Sequence, residues 1–164
     1  LALQAIFPVS PKAGRRPRRG SFLHRNLEKA IFCALVGIFG VIVSMMVMPG
    51  LRKNMSFLFM SSVIAFFLLG LVLILLTAKK KVSGRLKKFL ILTGASASGF
   101  FVSVLLHNFI YGLLIALFGP DFWDRIGVTD EPLFFIMAII VCPIGFLIGA
   151  VGSAVLFIKG KKKK

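Results

Sequence analysis

The sequence predicts an all-α integral membrane protein, a four-transmembrane-helix bundle with both ends of the chain on the cytoplasmic side. Three observations predict it. The 164-residue chain is 58% hydrophobic with a mean hydropathy of +0.96, against roughly 45–50% apolar residues in ordinary soluble domains. It nevertheless carries 21 Lys and Arg against 5 Asp and Glu, a net charge of +16. The two characters are segregated: 30–51, 54–78, 89–120 and 132–158 contain no Asp, Glu, Lys or Arg. Each stretch reaches the roughly 20 apolar residues that a helix needs to cross a hydrocarbon core. Lipid offers no partner to backbone N–H and C=O groups, so the spans must be helices unless a closed barrel forms. A barrel needs alternating polarity along ~10-residue strands, and no segment shows it. A soluble globule, a disordered chain and a disulfide scaffold are excluded.

The expected organisation is a basic segment over 1–29, a transmembrane domain over 30–158 and a basic tail over 159–164. Residues 1–9 are apolar but too few for a signal-peptide core with a cleavage site. The basic cluster also follows them, where a signal peptide would place it first. Arg15, Arg16, Arg18 and Arg19 instead read as an anchor against anionic headgroups, each worth about 1 kcal/mol near such a surface. A nucleic-acid site would interleave aromatic or polar readers with the charge, so no nucleic-acid partner is expected.

The spans are expected near 30–48, 57–77, 89–118 and 132–158. Pro49-Gly50 stops the first and Gly119-Pro120 the third, because proline cannot continue the hydrogen-bond ladder. Thr129-Asp130-Glu131-Pro132 opens the fourth with a capping side chain, two anions at the positive helix end and proline in the first turn. Eighteen Lys and Arg fall in the N-terminal segment, the middle loop and the tail, with Lys79, Lys80 and Lys81 among them; three fall in the other two loops. Basic residues stay cytoplasmic, which sets the orientation. A prokaryotic plasma membrane is the expected location. The loop over 121–131 lies on the far side, with Asp121, Asp124 and Arg125 beside Trp123, a ring suited to the membrane boundary.

Chemistry has little to work with. Two histidines and two cysteines give no metal set by spacing, and no catalytic group, metal or cofactor is expected. His107 is the one ionisable side chain read as lying inside a span, with no Asp, Glu, Lys or Arg in the spans to partner it. At 100° per residue, Ser96, Gly99, Ser103, His107 and Tyr111 share one face of the third helix. Asn108 points about 100° away and is expected to bridge to another helix. Two small-residue faces are the most ordered features. Ala95, Gly99 and Ser103 recur on the third span, and Gly145, Gly149, Gly152 and Ser153 gather on the fourth, both patterns that let helices approach closely in lipid. Pro143 should bend the fourth span.

Three functional classes compete. A non-enzymatic structural or accessory subunit, as a homo-oligomer or in a larger complex, accounts for both small-residue faces, one closing the bundle and one left for a partner. A small transporter or channel would run a path along His107, Ser103, Tyr111 and Asn108. A lipid-modifying enzyme would need a nucleophile, metal set or acid–base pair that the sequence does not offer. The residues favour the subunit.

Overall fold

The computed structural model describes residues 19–48, 50, 56–79, 84–128 and 131–161. Helix α1 spans Arg19–Val47, α2 Ser56–Lys79 and α3 Arg85–Phe118. A short turn of helix, α4, covers Phe122–Arg125. The fourth long rod is composite: α5, Pro132–Ile136, runs through a π-helical turn, Met137–Val141, into α6, Cys142–Lys161. Asn26–Val47, Phe57–Lys79, Arg85–Phe118 and Pro132–Lys159 are each long and apolar enough to cross a bilayer. The fold is therefore an all-α four-helix membrane bundle, and among the described residues there is no strand.

The surface fits that reading. Large apolar side chains such as Leu68, Leu75, Leu105, Leu147 and Val151 are about half exposed or more, as lipid-facing positions must be. The core is a column of Leu35, Phe66, Leu73, Leu90 and Phe146. Three rings lock α1, α2 and α6 together: Phe39 stacks on Phe146 at 4.5 Å and lies 6.0 Å from Phe66, itself 5.1 Å from Phe146.

Helix α3 is the hub, because glycines let both neighbours touch its backbone. A Cβ placed on Gly70 would lie 2.9 Å from Gly94 O, and one placed on Gly94 2.8 Å from Gly70 O. That reciprocal contact sets the α2–α3 crossing. On the other side, a Cβ on Gly149 would lie 2.7 Å from Thr93 N, and one on Gly145 2.5 Å from Ser96 Oγ. Any larger side chain would drive these helices apart.

The ends segregate by charge. Lys79, Arg85, Lys88 and Lys159 are exposed at one end, and Lys29 sits over the Phe157 ring there at 5.7 Å. Asp121 and Asp124 mark the other. Helix α1 begins well before position 30, and it carries Glu28 into the basic end as a buried side chain, 4% exposed. Arg15, Arg16, Arg18, Lys80 and Lys81 lie outside the described residues, and Arg19 is the first residue of α1.

The two hairpins differ in length. Counting thirteen residues from the Gly70–Gly94 contact toward the acidic end reaches Phe57 on α2 and His107 on α3, each about 20 Å away at 1.5 Å per residue. Helix α2 ends there. Helix α3, with 34 residues, continues for about 16 Å more. At roughly 51 Å in all, it is longer than the ~30 Å hydrocarbon core. His107 thus stands level with the end of the first hairpin, at the acidic-end boundary and not mid-membrane.

Candidate functional site

The chemistry-bearing side chains collect where α3 meets the start of the fourth span. Gly119, at φ 94° and ψ 165°, ends α3 and donates its N–H to Ile115 O at 2.9 Å; that backbone region is open essentially only to glycine. The chain then folds back along the outer turns of α3. Arg125 holds the fold: its guanidinium donates to Phe118 O, an otherwise orphaned carbonyl at the negative end of α3. Trp123 is 6% exposed and lies flat on Tyr111, ring centroids 5.6 Å apart and planes within 9°. Tyr111 therefore serves as the platform for the returning loop.

The loop delivers Glu131 to His107. His107 Nδ1 lies 3.1 Å from Glu131 O and 3.4 Å from Glu131 Oε2. Both are acceptors, so Nδ1 carries the proton and donates to them. The same carboxylate caps α5, accepting from Leu133 N at 2.8 Å and Phe134 N at 3.0 Å. Glu131 is 6% exposed; its charge is held by the first-turn amides and the imidazole, and the helix dipole adds to both. Phe135 closes the side, its ring 5.6 Å from the imidazole. The sequence offered His107 no acidic partner because Glu131 belongs to the cap of another span. Only the fold-back of the chain after Gly119 brings it to the depth of His107. Of the expected capping group, Glu131 supplies the cap; Thr129 and Asp130 lie outside the described residues.

Below this pair the α3–α6 seam stays polar but small. Ser103 is buried beside the Cys142 side chain, and a Cβ on Gly99 would lie 3.3 Å from Cys142 Sγ. Ser96 faces Gly145, Thr93 faces Gly149, and the Phe89 ring covers Gly152. Ser153 is fully buried. Thr93, Ser96, Ser103 and His107 thus lie on one line along α3.

Other expected positions fall elsewhere. Ala95 is exposed, so the third-span face that packs is Gly94, Thr93 and Ser96, not Ala95, Gly99 and Ser103 alone. Asn108 is exposed and donates to Val104 O of its own helix at 2.8 Å, not to a neighbour. Asn108 thus bonds within its own helix and Tyr111 stacks on Trp123, while His107 meets Glu131. An apolar cavity of about 60 Å³ lies lower, between α1, α3 and α6, lined by Phe39, Ile42, Met46, Phe100, Pro143 and Phe146 among others. His107 does not line it. Among the described residues no three His, Cys, Asp or Glu side chains gather as a metal set. One buried acid was missed in the sequence, Glu28, and Glu131 was read as a cap but not as the partner of His107. For Glu28, placed just outside an apolar stretch, the signal available was its helical spacing to the core residues Ile31 and Leu35.

Four apolar spans define the class: a small polytopic membrane protein. No protein-family model matches the chain, and neither a curated protein nor a solved structure does.

Proposed function

We propose that this chain is a non-enzymatic structural or accessory subunit that packs in a membrane assembly. One observation carries the reading. Cys33, Gly37, Gly40 and Ser44 form an exposed line on α1, at helical steps of four, three and four. A Cβ built on Gly37 or Gly40 would meet nothing within 4 Å. By contrast Gly70, Gly94, Gly145, Gly149 and Gly152 all sit against a neighbouring helix. The small-residue faces of the third and fourth spans are spent on each other, so the face left for a partner is on α1. Lipid tails gain nothing from a groove of glycines, whereas a second helix gains dispersion and polar pairing there. That partner helix comes from a second copy or from a larger complex.

The orientation belongs to the same proposal: the basic end, with Lys79, Arg85, Lys88 and Lys159 against anionic headgroups, faces the cytoplasm of a prokaryotic cell. Single cysteines at Ser83 and Gly127, in a Cys33→Ser/Cys142→Ala background, should label from opposite sides of the membrane; labelling from one side overturns it. For the subunit reading, bis-maleimide cross-linking at native Cys33 in membranes should give a discrete larger product, lost in Gly37→Leu/Gly40→Leu. Purified protein in liposomes should show no flux of protons, common ions or small neutral solutes. Absence of a Cys33 product, or flux abolished by His107→Leu with the bundle intact, defeats the reading.

A further inference from the structure

We infer that the acidic-end part of the fourth span, Pro132–Val141, is a swinging segment, hinged at the π turn and Pro143 and latched to α3 by His107 and Glu131. The hinge follows from covalent structure. Pro143 has no N–H, so the helix loses one bond and its ring crowds the carbonyl four residues back. The chain answers by widening: Cys142 N–H bonds back to Met137 O, five residues away, and Met137–Val141 forms a π turn. π turns inside helices are local departures from the favoured ladder and recur at functional positions.

Beyond the hinge the segment presents mostly apolar side chains to the lipid. Leu133, Phe135, Ile136, Ile139, Ile140 and Val141 are all exposed, and in the run from Pro132 to Val141 only Ala138 is buried. The segment contains no glycine, whereas below the hinge Gly145, Gly149 and Gly152 bring α6 against the α3 backbone and the Phe89 ring. The tip carries a polar contact as well as an aromatic one: the His107 Nδ1–H donated to the Glu131 carbonyl and carboxylate, with the Phe135 ring beside the imidazole. Interhelical hydrogen bonds in membranes are individually weak, a strength suited to a latch that opens. At the pivot, Pro143 lines the apolar cavity of about 60 Å³ between α1, α3 and α6. A change of about 20° over an arm of about 16 Å moves the tip by about 6 Å. Opening would uncover His107, Ser103 and Cys142 to the acidic-end boundary.

The test is a pair of spin-label distances in lipid nanodiscs, in the Cys33→Ser/Cys142→Ala background. One pair spans the latch, on Leu113 of α3 and Ile136 of α5. The other lies below the hinge, on Val102 and Leu147. His107→Leu should lengthen and broaden the upper distance by several ångströms and leave the lower one unchanged. Adding Pro143→Ala should narrow the upper distribution again, because a straight ladder removes the pivot. An unchanged upper distance in His107→Leu, or equal broadening of both pairs, overturns the hinge and latch. His107→Asn, which keeps a donor at the position of Nδ1 toward Glu131, should retain the parental upper distance, and failure of that rescue also counts against the latch.

Discussion

The two halves of the α3–fourth-span seam are built on different physics. Toward the basic end, glycine replaces side chains. Gly149 lies so close to α3 that an added Cβ would be 2.7 Å from Thr93 N and 3.0 Å from Phe89 O, both backbone atoms. Toward the acidic end the fourth span has no glycine from Pro132 to Val141, and an imidazole–carboxylate contact and the Phe135 ring on His107 add to the packing of the helices. In water both halves would be driven together by apolar burial. In lipid that drive is absent, so close packing and polar pairing must do the joining. A membrane helix can thus meet its neighbour through glycine-to-backbone packing in one half and through an added polar contact in the other.

The largest expected effect breaks the fixed half. Gly149→Leu should destabilise the bundle by about 3 kcal/mol or more, the upper end for overpacking, because the atoms it meets are backbone and cannot step aside. Unfolding in mixed detergent micelles would measure it, and a loss under about 1 kcal/mol would remove the close-approach argument.

A pair of alanine substitutions sharpens the same half. Gly149→Ala should cost about 2 kcal/mol. Gly145→Ala should cost less than about 1 kcal/mol, since its nearest neighbour is the Ser96 hydroxyl, which can rotate away. The ranking of the two in the same unfolding assay is the decisive reading; equal losses would place the tight crossing elsewhere.

The latched half should respond more weakly in stability. His107→Leu should lose about 1 kcal/mol, the scale of one interhelical hydrogen bond in a membrane. A loss rivalling Gly149→Leu would mean that the pair is a structural keystone instead.

Smallest of all, Leu147→Ala should fall within about 0.5 kcal/mol of the parent, because Leu147 is half exposed to the lipid side. A large loss there would show that this face is covered by a partner, which would relocate the assembly surface from α1 to α6.

The sequence by itself determined the number of spans, their helical nature and their approximate ends. Each of these depends on local quantities: run length against hydrocarbon thickness, the placement of charge, and the stop signals at Gly119-Pro120 and Pro132. It also marked Gly145, Gly149 and Ser153 as one face and Pro143 as a break, since helical periodicity is fixed by 3.6 residues per turn. Which faces meet is a different kind of fact. That Gly70 pairs with Gly94, that Ala95 turns to lipid while Thr93 and Ser96 turn to α6, and that Asn108 bonds within its own helix depend on crossing angle and relative rotation. Many near-equivalent greasy surfaces leave these undetermined from one strand of sequence. The unequal hairpins decided the rest. Because α3 outlasts α2 by about three turns and the loop folds back along it, an acid that reads as a helix cap becomes the partner of a histidine twenty-four residues earlier. Only the tertiary structure could bring those two residues to the same depth.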